Sequence, residues 1–160
     1  MSRPCWPLMV ALAVPVAAAA FPPVPKPKDK ATAKDLPKAL QGTWEVVKVE
    51  RGSGKTGLPK GYVLRMTIDG QKLTQVTLIK GKEGRSSLQT FVVDTKQLPA
   101  SFEVTYTAGK AREMKIRGIL TVEGDRMVWA YASGEGARPT KIDSELGAMQ
   151  HRFTLKRVKP

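Results

Sequence analysis

Between residues 43 and 157 the chain passes through short stretches in which apolar and polar residues alternate with a period of two. Tyr62, Leu64, Met66 and Ile68 alternate with Val63, Arg65, Thr67 and Asp69. Phe102, Val104 and Tyr106 alternate with Glu103, Thr105 and Thr107. Met114, Ile116, Gly118, Leu120 and Val122 alternate with Lys115, Arg117, Ile119 and Thr121, and Met127, Trp129 and Tyr131 with Val128 and Ala130. Phe153, Leu155 and Arg157 end the series. This period sends successive side chains to opposite faces of a strand and leaves each strand one apolar face. Residues 43–50, 72–79 and 88–94 supply three more strands with less regular alternation, for about eight in all. Tight turns are expected at Asp69-Gly70 and Glu123-Gly124, with further turns at 81–84 and 107–112. Short antiparallel strands with one apolar face must stack or close. Sequential hairpins favour closure, so the expected fold is all-β: an antiparallel up-and-down barrel of about eight strands. Its interior is filled by side chains or holds one small ligand.

The first 42 residues differ in kind. Met1 to Ala20 reads as a signal peptide, with Arg3 before an apolar run from Leu8 to Val16 and small residues Ala18-Ala19-Ala20 at the cleavage site. That run is too short to span a membrane, and Pro15 interrupts it. Residues 21–35 form a linker in which Pro22, Pro23, Pro25 and Pro27 mix with Lys26, Lys28 and Lys30. Residues 36–160 form the barrel domain. It is expected to open with a helical turn at 35–40, capped by Asp35. Export to the periplasm or the extracellular space follows, with no membrane span after cleavage. Cys5 leaves with the signal, so the mature chain has no disulfide and no cysteine metal site.

The net charge is +13, which suits anionic partners such as an acidic envelope polymer. Nucleic acid is disfavoured, because outward aromatic platforms for base stacking are scarce. Gly52-Ser53-Gly54-Lys55-Thr56 ends like a phosphate loop, but Val49 stands where the motif needs its first glycine and Pro59 breaks the required helix. His151 is the only histidine and is expected to be exposed at the edge of the last strand. One histidine without cysteines makes no transition-metal site. Asp143, Ser144 and His151 carry no triad signature. No pattern names a cofactor, and the chain reads as a monomeric protein that is not an enzyme.

Several stretches together resemble a known family. They are Leu40-Gln41-Gly42-Thr43-Trp44, Ile68-Asp69-Gly70-Gln71-Lys72-Leu73, Asp94-Thr95-Lys96, Gly118-Ile119 with Glu123-Gly124-Asp125, Arg138-Pro139-Thr140 and Leu155-Lys156-Arg157. The series resembles an uncharacterised lipocalin-like domain family typical of planctomycete bacteria. Family members often carry proline where this chain has Thr95. The resemblance implies a barrel and export but no particular activity. It also implies that a late-strand cation covers the first-strand tryptophan. Trp44 and Arg157 fill those places, in a structural role.

The inward parity collects mostly apolar side chains with two tyrosine hydroxyls and one indole N–H, the make-up of a small-molecule pocket. Met66, Phe91, Tyr106, Gly118, Trp129 and Tyr131 are the candidate ligand contacts, with space expected beside Gly118. The expected function is an exported binding module for a small apolar or amphipathic ligand. The alternative is a packed, cationic barrel that binds an acidic envelope polymer or a protein.

Overall fold

The computed structural model describes residues 30–54, 57–134, 136–143 and 145–159. The expected signal peptide and most of the expected linker lie outside the described residues. Among those described, a short helix, α1 (Leu36–Leu40), precedes eight strands. The strands are β1 (Gly42–Arg51), β2 (Tyr62–Asp69), β3 (Lys72–Ile79), β4 (Lys82–Asp94), β5 (Ala100–Tyr106), β6 (Lys115–Glu123), β7 (Arg126–Ala132) and β8 (Gln150–Arg157). Each pairs antiparallel with its neighbour in sequence, and β1 pairs with β8 to close the barrel.

The turn chemistry differs from the expected register by one residue. The loops are Gly70-Gln71 and Gly124-Asp125, because Asp69 and Glu123 stay in the ladder opposite Lys72 and Arg126. Opposite charges directly across a ladder favour that arrangement. The third turn is Lys80-Gly81 rather than 81–84, and β4 begins six residues earlier than its apolar pattern suggests. Residues 107–114 form the fourth connection, with a 3₁₀ turn at Gly109–Ala111.

Two irregularities set which side chains face inward. In β1 the register against β8 slips between Val46 and Lys48, so Val46 and Val49 both point to the core while Val47 is 57% exposed. This is a β-bulge. A second bulge lies between β3 and β4, at Val76/Leu78.

The two ends of the barrel are built differently. At one end, α1 and the short hairpin loops close the interior, and Leu36 and Leu40 sit in the core. Asp35 does not cap α1 with its side chain. Pro37 in the first turn offers no N–H there, and the Asp35 carboxylate instead accepts from Thr32 Oγ1 at 2.6 Å. Residues 30 and 31, expected in the linker, belong to the barrel: Ala31 N–H donates to Val122 O at 2.9 Å and Lys30 pairs with Glu123. At the other end stand the longer connections 52–61, 107–114 and 133–149. The 133–149 connection runs along the outside of the wall. Arg152 donates to Ile142 O at 2.7 Å and forms a two-pronged ion pair with Glu50. The outward side chains Ile119, Val128 and Ala130 are buried. No helix among the described residues is long and apolar enough to cross a membrane.

Candidate functional site

The closed end holds Trp44, which is fully buried. Its Nε1 donates to Leu40 O at 2.8 Å, and the Arg157 guanidinium lies 4.1 Å from the ring centre. Arg157 also donates to Gln41 O at 2.6 Å and Ala39 O at 2.5 Å. Gly42 makes room for this approach: its φ is +109°, and a Cβ there would stand 3.1 Å from the guanidinium. Trp44 Nε1 and both terminal nitrogens of Arg157 each have a backbone acceptor, which ties the barrel wall to α1 and the residue after it.

The middle of the barrel is an aromatic stack. Phe91 lies parallel to Trp129 with centroids 5.4 Å apart, and Phe102 lies 4.7 Å from Trp129. The space expected beside Gly118 is filled. A Cβ there would meet Ala130 O at 2.4 Å and the Phe102 ring at 2.7 Å, so Gly118 lets that ring seat against β6 and β7. Phe91 and Gly118 stand outside the wall of the cavity described next, as parts of the packing that supports it.

Above the stack, toward the open end, lies a cavity of about 110 Å³. Four of the six expected ligand contacts line it: Met66, Tyr106, Trp129 and Tyr131. Leu64, Leu73, Val104, Ile116 and Phe153 add apolar wall, and Gln75 and Gln89 add amides. Gln89 is only 2% exposed, and its Nε2 donates to Ser87 Oγ at 3.1 Å. Trp129 Nε1 is buried with no acceptor among the described residues. An unpaired buried donor is costly, which makes this end of the barrel incompletely satisfied.

His151 is half-buried rather than exposed. It lies one strand period from Phe153 and therefore shares its inward face. Its ring stacks on Tyr131 at 5.0 Å, and its Nε2 is 3.3 Å from Ser133 Oγ. Burial and the nearby Arg51 charge lower its pKa, so the ring is neutral at neutral pH. Burial pushes the Tyr131 hydroxyl up to about 12, with Tyr106 raising it further and Arg51 opposing. The hydroxyl therefore stays protonated and able to donate. Among the described residues no carboxylate bonds His151. Ser144, considered with it in the sequence, lies outside the described residues.

Arg51 was missed by the sequence reading. It pairs in register with His151, which pairs with Tyr131, so three strands bring these side chains to one level of the open end. Counting by twos from Trp44 turns Arg51 outward; the bulge at Val47 turns it inward. Only knowledge of the bulge could have recovered it. Arg51 is half-buried and makes no ion pair among the described residues. By the same registers, the carboxylates carried by the strands face outward. Glu50 pairs with Arg152, Glu103 with Lys115 and Arg117, and Glu45 with Arg65.

Two larger hollows, of about 530 and 510 Å³, lie outside the barrel beside Ile142 and Asp143. The first is lined by charges that already satisfy one another, Lys30 with Glu123 at 3.3 Å and Lys48 with Glu50 at 3.1 Å. The interior cavity, with its unpaired groups, is the better candidate site despite its size. No family model, curated protein or solved structure matches the chain.

Proposed function

We propose that the protein is an exported binding module of lipocalin-like type, in which the cavity at the open end takes one small apolar or amphipathic molecule. The observation that carries this reading is the cavity of about 110 Å³, apolar in most of its wall and rimmed by a few polar groups. At roughly 30 Å³ per water the volume equals three to four waters, so it suits a single ring or a short chain rather than a long lipid. The proposal includes cleavage near Phe21, a monomeric state and membership of the family that the sequence resembles. It assigns no chemistry on the guest, since among the described residues no nucleophile is paired with a base and an acid around the cavity.

The test is a calorimetric screen of purified protein against toluene, benzamide and short alcohols. Saturable binding of one guest per chain is expected, and Met66→Trp should block it by filling the cavity. Absence of binding by every apolar or amphipathic probe removes this reading. It would favour the alternative of a packed cationic barrel, which the charge of +13 supports and which predicts salt-sensitive binding to an acidic polymer. Intact mass from the natural host tests export: a species retaining residues 1–20 would overturn it.

A further inference from the structure

We infer that the guest of the open end is a small organic anion whose acid group is bound by Arg51, with an apolar body of about one ring in the cavity below. The inference rests on the cavity reading above and adds the chemical class of the ligand.

Three observations carry it. The first is the position of Arg51. It shares the inward face with Val49, at the level of His151 and Tyr131, directly above the layer of Trp129 and Phe153. The second is that it has no counter-ion among the described residues. A half-buried cation loses hydration, and that loss is unfavourable unless an anion or hydrogen-bond acceptors replace the water. Arg157, the other inward arginine, has two backbone carbonyls and an indole face. Arg51 has neither a carboxylate nor a hydrogen-bond acceptor among the described residues, and the strand carboxylates face away from it. The third is the donor set at the same level. The Tyr131 hydroxyl remains protonated, and the Tyr106 hydroxyl lies near enough to influence it. A guanidinium flanked by hydroxyl donors suits a carboxylate, which accepts a forked pair of bonds and further single ones.

Depth sets the size of the body. Trp129 and Tyr131 are two residues apart on β7, about 7 Å along a strand. A guest reaching from the Arg51 level to the indole therefore spans one six-membered ring with its acid group attached. The cations on the open-end loops, Lys60, Lys80, Lys82, Lys110 and Arg112, are exposed and outnumber their neighbours Glu83 and Glu113. Their field draws anions toward the mouth without choosing among them.

The experiment compares benzoate with its neutral isostere benzamide, and with toluene, by calorimetry on the mature protein. Benzoate should bind about tenfold or more tightly than benzamide, the range for a charge-assisted hydrogen bond. Arg51→Met should bring that ratio close to one by weakening benzoate. Arg51→Gln makes the same test if Arg51→Met fails to fold. Lys110→Met, which removes a rim cation, should keep the preference. If benzoate and benzamide bind alike, or the preference survives loss of Arg51, or Lys110→Met abolishes it equally, the inference falls and the cavity reading stands. If none of the three probes binds, both fall.

Discussion

Among the described residues the barrel interior carries two pairs of tryptophan and arginine in opposite conditions, Trp44 with Arg157 at the closed end and Trp129 one layer below Arg51 toward the open end. At the closed end, Trp44 donates to a backbone carbonyl, and Arg157 covers the indole while bonding two more carbonyls. At the open end, Trp129 Nε1 has no acceptor among the described residues, and Arg51 has no ion-pair partner there. The same two residue types hold a structure together when their polar atoms are satisfied, and leave capacity for a ligand when they are not. The difference comes from what surrounds them. At the closed end α1 brings its last carbonyls to the arginine. At the open end no backbone carbonyl among the described residues accepts a hydrogen bond from Arg51.

That contrast can be broken most forcefully at the tryptophans. Trp44→Ala should destabilise the domain by about 3–5 kcal/mol, the range for deleting a large buried aromatic. The conservative pair sharpens the comparison. Trp44→Phe leaves Leu40 O without its donor and should cost about 1–3 kcal/mol, whereas Trp129→Phe removes a donor that had no acceptor and should cost less. Urea denaturation of both variants checks this; equal losses would mean that the two ends do not differ in satisfaction.

The arginines should separate next. Arg157→Met removes the indole contact, worth about 0.5–2 kcal/mol, along with its bonds to Gln41 O and Ala39 O. Arg51→Met should change stability by no more than about 0.5 kcal/mol, as for a substitution that breaks no pair. A double-mutant cycle of Trp44 and Arg157 should show coupling. Additive effects would mean that the guanidinium contributes nothing through the ring.

A smaller effect belongs to the outer clasp of the open end. Arg152 holds Glu50 at about 2, well below the ordinary 4.5 of a glutamate. A carboxyl depressed in the folded state stabilises above its unfolded pKa, and that contribution is lost as pH falls through the folded value. Stability should therefore decline between about pH 4.5 and 2, and Arg152→Met should flatten part of the decline. The flattening is partial because Lys115 and Arg117 lower Glu103 as well. Urea midpoints measured across that pH range check both statements.

The alternation of β2 and β5 was legible because each buries one face and leaves the other at least partly open; β6 and β7 kept an inward apolar parity although their outward Ile119, Val128 and Ala130 are buried too. The first half of β4 was not. Lys82, Glu83, Gly84, Arg85 and Ser86 are exposed there, so only pairing with β3 makes that stretch a strand, and pairing leaves no period in a sequence. Of the site, Met66, Tyr106, Trp129 and Tyr131 were legible from parity. Phe91 and Gly118 share that parity but lie in the packed stack, since parity gives the face and not the depth along the axis. Arg51 was hidden by one inserted residue at Val47, which reverses the face of everything beyond it. The cap at Asp35 was misjudged for a local reason: its backbone is already helical (φ −87°, ψ −17°) rather than extended as a cap requires, and its carboxylate accepts from Thr32 Oγ1 instead.

The closure of β1 on β8 has a kinetic consequence. Seven of the eight strand pairings join consecutive strands, while the eighth brings Trp44 to Arg157. Bringing such distant residues together is the costliest loop closure in the chain, so hairpins form early and the seam last. Glu50–Arg152 and Trp44–Arg157 both straddle that seam. Their substitution should speed unfolding and leave refolding nearly unchanged, while Val104→Ala, between consecutive strands, should slow refolding. Stopped-flow chevrons distinguish the two patterns; slow refolding of the seam variants would place closure at the start. With the seam last to form, the lifetime of the folded protein would be governed by two arginines rather than by the bulk of the core.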